Sequence, residues 1–102
     1  MLKYTREDII RRTCEKLDFS NDEMKLVFES IIETISHMLT EEHSNIRIEL
    51  RNFGIFEVKP TKAKPRARNP KTNKEVYIPP RRKIHFRVGK AIKDVIKQEW
   101  EI

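Results

Sequence analysis

A long apolar stripe between residues 21 and 42 constrains the fold of this chain more than any other feature of its sequence. Apolar side chains recur there at intervals of three and four, which is the spacing of one face of an α-helix. Ser20 and Glu23 have the spacing of a capping box at its start, and the helix would extend for about 30 Å at roughly 1.5 Å per residue. The stripe consists of Met24, Val27, Phe28, Ile31, Ile32, Ile35, Met38 and Leu39.

A shorter helix is predicted before this stripe and a sheet after it. A capping box followed by apolar residues at helical intervals predicts a helix over about 5–17. From residue 46 the apolar period changes to two, the period of a half-buried strand, which predicts a hairpin over 46–59. A third strand is predicted around 84–88, and a last helix at about 90–99.

The predicted core is too small to cover the apolar stripe in a monomer. The chain has 102 residues, the length of one domain, and small domains bury proportionately little surface. An intertwined homodimer would cover the stripe, whereas the alternative is a marginally stable compact monomer. The side chains expected at the dimer core are Phe28, Ile31, Ile32, Ile35, Phe53 and Phe56.

We therefore predict a single α+β domain over residues 1–102. It would have two N-terminal helices, a three-stranded antiparallel sheet with a long β-ribbon arm, and a C-terminal helix, assembled as an intertwined dimer. Its helical dimerisation part would occupy 1–45. The sheet would occupy 46–90 with the arm at about 60–80, and the C-terminal helix 90–102.

Most of the positive charge lies in residues 59–90. This segment holds twelve lysines and arginines and one acid, Glu75, although the whole chain has a net charge of only +6. The remainder is therefore acidic, and a basic segment on an acidic body is typical of a polyanion-binding protein. The alternative for a charge run alone is a solvated loop. Because strands flank the proline-rich residues 60–70, we interpret them as one side of a β-ribbon arm.

Other compositional features exclude several classes of protein. The only cysteine, Cys14, cannot form an internal disulfide, which favours a reducing compartment. No apolar run approaches the roughly 20 residues that span a bilayer. The charges near the N-terminus are not followed by the apolar stretch that a signal peptide would have. The expected location is the cytoplasm.

Four short motifs occur in a common order along the chain. Residues 68–72 resemble the R-N-P-x-T motif of the bacterial histone-like HU and integration host factor family. Residues 51–56 resemble its R-x-F-G-x-F motif, 78–79 its returning I-P and 86–90 its F-x-P-G-K. The order of the predicted elements also matches this family, from about residue 3 to residue 97.

The resemblance implies an architectural, nucleoid-associated protein that binds, bends and compacts duplex DNA. Two β-ribbon arms of a dimer would lie in the minor groove, where Pro70 would act as a wedge between bases and Arg68 and Asn69 would flank it. Phosphate contacts would come mainly from the cations around the arm. The expected DNA-binding residues are Arg66, Arg68, Asn69, Pro70, Lys71, Lys59, Lys62, Lys64, Arg81, Arg82, Lys83, Lys90 and Lys93.

The chain departs from the family pattern at positions where glycine or proline is common. Ala67 and Asn73 stand where glycine is common in the arm, and Val88 stands where proline is common. Asn52 occupies a further glycine position in the hairpin. We expect both asparagines to adopt a positive φ angle, which asparagine tolerates better than most residues.

No enzymatic or metal-binding pattern is evident, so we expect no cofactor, metal or small-molecule substrate. Glu33 and His37 are four residues apart on the long helix, but no third ligand accompanies them. Cys14 occupies an apolar helical position and is interpreted as a small core residue.

Three questions remain open at the level of the sequence. A basic RNA-binding or ribosome-associated protein using the same hairpin on structured RNA is the main rival to a DNA-binding protein. A membrane surface is not an expected partner, because the basic segment lacks an apolar face. A heterodimer remains an alternative to the homodimer. The third question is whether binding is specific for a DNA sequence. Residues 47–51 resemble a strand of integration host factor β subunits, which would favour specificity, but simple strand alternation explains the pattern equally well.

Overall fold

The computed structural model describes residues 1–100, which fall into a helical unit up to Glu41 and a mainly β unit from Glu42 onward. Glu101 and Ile102, at the end of the predicted C-terminal helix, lie outside the described residues. The three helices and antiparallel strands confirm the α+β class. The elements are α1 (Arg6–Lys16), α2 (Asn21–Leu39), β1 (Ile46–Leu50), β2 (Gly54–Pro60), β3 (Lys64–Arg68), β4 (Glu75–Ile78), β5 (Arg82–Val88) and α3 (Lys90–Ile96).

Side-chain caps set where the two long helices begin. The backbone N–H of Thr5 donates to Oδ2 of Asp8 at 2.8 Å, ahead of α1, and Ser20 Oγ accepts from the N–H of Glu23 at 3.1 Å, ahead of α2. The α2 helix ends at Leu39, three residues earlier than predicted. Thr40 closes it, since its N–H bonds to the carbonyl three residues back and its hydroxyl donates to the carbonyl four residues back.

The helical unit has a very small buried core. Ile10 of α1 and Met24 of α2 are each 7% exposed, and they are the buried apolar side chains of this unit. Most of the stripe on α2 remains accessible, because Ile31 is 52% exposed and Ile32 is 47% exposed. The pattern of the stripe is thus helical, as predicted, but the chain by itself does not cover it.

The three-stranded sheet has strand order β1-β2-β5 with antiparallel pairing. Its register aligns Ile48, Phe56 and Phe86 on one face, where the rings of Phe56 and Phe86 lie 4.7 Å apart. The turn between β1 and β2 passes through Asn52 with φ 67°, as expected from the sequence. One face of the sheet is therefore apolar, although only Val58 on it is a buried hydrophobic residue, at 5% exposure.

A separate two-stranded ribbon, β3 with β4, forms the arm. Lys64 pairs with Ile78 and Ala67 with Val76, so residues 65–66 face the single residue Tyr77 across a β-bulge. Pro65, which has no N–H, therefore lies at the edge of the ribbon, and the bulge increases the local twist of that edge.

Hydrogen bonds between Thr61 and Arg81 join the two strands at the base of the arm. The N–H of Thr61 donates to the carbonyl of Arg81 at 2.7 Å, and the N–H of Arg81 donates back to Thr61 Oγ1 at 3.0 Å. These bonds continue the pairing of β2 with β5 toward β3 and β4. Within residues 1–100, no helix combines the length and the apolar character that a membrane crossing requires.

Candidate nucleic-acid interface

The tip of the arm is a tight turn organised by one asparagine. Asn69 Oδ1 accepts from the N–H of Lys71 at 2.9 Å, and the Asn69 carbonyl accepts from the N–H of Asn73 at 2.7 Å. The side chain thus imitates a backbone turn, a role for which asparagine is suited. Pro70 follows it at the apex and is exposed. Asn69 is half-buried, because its side chain holds the turn.

Asn73 closes the turn in the left-handed region and also holds a cation. Its φ angle is 57°, as the sequence suggested. Its Oδ1 accepts a hydrogen bond from Nη1 of Arg68 at 3.3 Å. The guanidinium of Arg68 is therefore held beside the turn that carries Pro70.

The predicted DNA-binding residues lie mostly on the surface of the protein. Apart from Asn69, every one of them is exposed. The register places Lys59 opposite Lys83 at the end of the three-stranded sheet, which brings cations together at the base of the arm. Arg82 is also held there, since its Nη1 donates to the carbonyl of His43 at 3.1 Å.

The polar face of the three-stranded sheet carries an ion cluster that the sequence did not suggest. Glu57, on the central strand, is only 8% exposed. Its carboxylate pairs with the guanidinium of Arg87, and its Oε2 lies 3.2 Å from Lys59 Nζ. The hydrogen bond from Lys59 and the charges of both cations lower the pKa of Glu57 and outweigh the opposing effect of burial.

This cluster was missed because Arg87 is distant in sequence from Glu57 and Lys59. Only the alternation of Glu57 with Lys59, and the polar position of Arg87 in the last strand, carried a signal. A second pair lies on β1, where Arg47 Nε is 2.8 Å from Glu49 Oε1. The polar sheet face therefore combines cations with carboxylates, whereas the arm is almost purely cationic.

Residues 4–97 match the family described as bacterial DNA-binding proteins. The chain belongs to this family, which includes HU and integration host factor. It is 32% identical to DNA-binding protein HU of Thermotoga maritima over 93 residues, which cover 91% of this chain and 99% of the relative. It is 34% identical to integration host factor subunit alpha of Alcanivorax borkumensis over 93 residues, covering 91% and 89%.

A solved structure agrees with this assignment. The chain superimposes on the HU protein of an Anabaena HU–DNA cocrystal structure with a TM-score of 0.79 and 27% sequence identity, covering 94% of this chain and 100% of the other. The family resemblance carried by the motifs is therefore confirmed, and so is the HU-like fold.

In this HU-like chain, the residues predicted at a dimer core are accessible to different degrees. Phe28, Ile35 and Phe56 are half-buried, whereas Ile31, Ile32 and Phe53 are 52%, 47% and 48% exposed. Phe53 contacts Phe86 with their ring centroids 5.5 Å apart.

The remaining candidates for chemistry do not assemble into a site. His37 Nε2 lies 3.9 Å from Glu33 Oε1, on an exposed surface of α2. The described part of the chain contains no group of three His, Cys, Asp or Glu side chains that could hold a metal ion. The thiol of Cys14 is half-buried and donates to the carbonyl of Ser20 at 3.7 Å.

Proposed function

We propose that this protein is an architectural DNA-binding protein that bends duplex DNA with minor-groove β-ribbon arms. The observation that carries the proposal is Pro70, a rigid apolar ring exposed at the apex of a turn between Arg68 and Lys71. Nothing in the arm covers this ring, and proline has no N–H to leave unsatisfied when it enters a base step. The HU–DNA complex of the Anabaena relative supports duplex DNA as the ligand.

The energetics of a wedge require the cations that surround it. Partial unstacking costs a few kcal/mol per step, and smooth bending of a 20–30 bp site costs about 1–6 kcal/mol more. Contacts with phosphates brought against the protein offset these costs. The residues proposed for them are Lys59, Lys62, Lys64, Arg66, Lys71, Arg81, Arg82, Lys83, Lys90 and Lys93.

The functional unit in this proposal is a homodimer. Large apolar side chains on α2 and on the sheet are exposed by 40% or more, which a stable monomer would bury. A second copy that covers them would also supply the second arm. A heterodimer with a related subunit would satisfy the same surfaces, and sedimentation of the purified chain alone distinguishes the two.

Structured RNA is the competing ligand, since a basic ribbon contacts the phosphates of either nucleic acid. The name of the Thermotoga maritima relative, DNA-binding protein HU, favours DNA. Competition of duplex RNA against duplex DNA for one sample tests this choice. We further propose that the protein binds the nucleoid without catalysing a reaction and without a cofactor or small-molecule substrate.

The decisive experiment replaces Pro70 with alanine. Because the ring lies outside any core, the Pro70→Ala protein should keep its fold and its affinity for straight duplex. It should lose most of its ability to circularise short DNA fragments and to prefer nicked over intact duplex. The matched control is Pro80→Ala, an exposed proline at the base of the arm. A Pro70→Ala protein that bends DNA as well as wild type would rule out the wedge.

A further inference from the structure

Arg68 has two possible partners in the arm, and the structure shows it with only one of them. The strand register places it directly opposite Glu75, the single acid of the basic segment. Directly opposed residues of an antiparallel pair share a face and lie within reach of each other. Within the described chain, however, no ion pair joins Arg68 and Glu75. The guanidinium instead donates to Asn73 Oδ1 at 3.3 Å.

The backbone conformation of the turn does not depend on the side-chain carboxamide of Asn73. The left-handed conformation at φ 57° is available to glycine without strain. The turn is closed by backbone bonds of Asn69, one to Asn73 and one to Lys74, and by the Asn69 side chain. Among the described residues, the carboxamide of Asn73 accepts one hydrogen bond, the one from Arg68.

We propose that Asn73 is a positioning residue for Arg68, which directs the guanidinium to the arm tip beside Pro70 and away from Glu75. This inference rests on the proposed function and deepens it. An Arg68 that paired with Glu75 would be neutralised, and its charge would be lost to the DNA just where the wedge opens the stack. Asn73 therefore contributes to the selection of bendable DNA without carrying any charge itself.

The test compares the preference of each variant for nicked over intact duplex, measured as a ratio of affinities at one salt concentration. Asn73→Gly keeps the backbone conformation and removes the acceptor, so the ratio should fall about fivefold, the effect of losing one modest hydrogen bond. Its salt dependence on intact duplex should change little, because Arg68 is not among the proposed phosphate contacts. Asn73→Asp keeps an acceptor and the left-handed conformation but places a carboxylate against Arg68, so by the same neutralisation it should not restore the ratio.

Two backgrounds show whether Asn73 acts through Arg68. In an Arg68→Gln protein, Asn73→Gly should have no further effect on the ratio. In a Glu75→Gln protein, Asn73→Gly should have a smaller effect, since the competing carboxylate is absent. An unchanged ratio in Asn73→Gly, or full additivity with Arg68→Gln, would overturn the positioning role. Full restoration by Asn73→Asp would contradict the neutralisation of Arg68 by a carboxylate. If Asn73→Gly lowered the ratio equally in the Glu75→Gln background, Glu75 would not compete with Asn73 for Arg68.

The wild-type protein separates this inference from the function on which it rests. If wild type showed no preference for nicked duplex, the proposed bending function itself would fail. If wild type shows the preference and Asn73→Gly retains it, only the role of Asn73 is wrong.

Discussion

Gly54 and the ring of Phe86 are so close that a Cβ atom at position 54 would lie 2.5 Å from the ring carbon Cε2. The same atom would lie 2.6 Å from the backbone carbonyl oxygen of Arg87. The ring has some freedom to turn, but the carbonyl belongs to β5, which is paired with β2 along its length. Glycine at this position thus allows Phe86 to lean across the apolar face of the sheet.

We expect Gly54→Ala to lower the free energy of unfolding by about 1–3 kcal/mol, the usual range for overpacking a well-ordered core. Urea denaturation at a fixed protein concentration measures this change. Gly89→Ala is the comparison and should cost less, because its Cβ would lie 3.1 Å from the backbone oxygen of Phe53, a less severe approach than those at position 54. Equal losses in the two variants would contradict the steric explanation.

The cations of the arm should determine the salt dependence of DNA binding. Replacing both Lys62 and Lys64 with glutamine should weaken binding to all duplexes alike and reduce the slope of log affinity against log salt by about 0.9 for each engaged phosphate. Titrations at several salt concentrations measure the slope. The control removes the same charge from the helical unit, as Lys16→Gln with Lys25→Gln. A slope that follows net charge in both variants would show that the arm is not the contact surface.

Ile32 provides a direct test of dimerisation. It is 47% exposed on α2, so Ile32→Asp in a true monomer should change the free energy of unfolding by no more than about 0.5 kcal/mol. In an intertwined dimer, it would bury an unpaired charge and should cause both dissociation and unfolding. Sedimentation and circular dichroism measure the two effects together. Thr34→Asp adds the same charge outside the stripe and should leave the assembly intact.

Glu57 should make the stability of the fold sensitive to acid. Its pKa is lowered from the ordinary value of 4.5, first by the hydrogen bond from Lys59 and then by the charge of Arg87. The folded state therefore keeps the carboxylate charged where the unfolded state binds a proton. Its contribution is fully present above pH 4.5 and is lost as the pH falls through the lower folded pKa.

The variant Glu57→Gln should remove part of this acid dependence, as measured by thermal unfolding across the acidic range. The dependence that remains should come from Asp8 and Glu7, whose pKa values are also lowered, mainly by backbone hydrogen bonds at the start of α1. Glu75→Gln removes an exposed carboxylate of the arm and serves as the comparison. If Glu57→Gln and wild type had the same acid profile, the ion cluster would make no contribution to stability.

Local chemistry made much of the fold predictable from the sequence. The capping residue Ser20, the period of the stripe on α2 and the alternation of Ile46, Ile48 and Leu50 each depend on neighbours in the chain. The ends of the helices were predicted less accurately, because the hydrogen bonds that close a helix do not follow the regular pattern of its interior. The α3 helix ends at Ile96 rather than at the predicted residue 99. Just after Ile96, the N–H of Gln98 bonds to the carbonyl of Val95, only three residues back.

The parts of the candidate site that the sequence did not predict depend on register. The approach of Arg87 to Glu57 needs the pairing of β2 with β5, and no spacing rule brings residues thirty positions apart together. Likewise, the expectation that Asn73 would adopt a positive φ angle was correct, but its hydrogen bond to Arg68 follows from the geometry of the turn. The motif R-N-P-x-T located the arm tip, and the structure supplied the bonds that hold it.

The bulge in the arm has a consequence for the behaviour of free protein at high concentration. A two-stranded ribbon has two open edges, and unpaired backbone groups on such edges can recruit strands from other molecules. Pro65 interrupts the row of donors on β3, the bulge twists that edge, and the surrounding cations repel a second arm. Two arms should therefore resist forming a shared sheet, so that the protein remains free of edge-to-edge aggregates until a polyanion neutralises the repulsion.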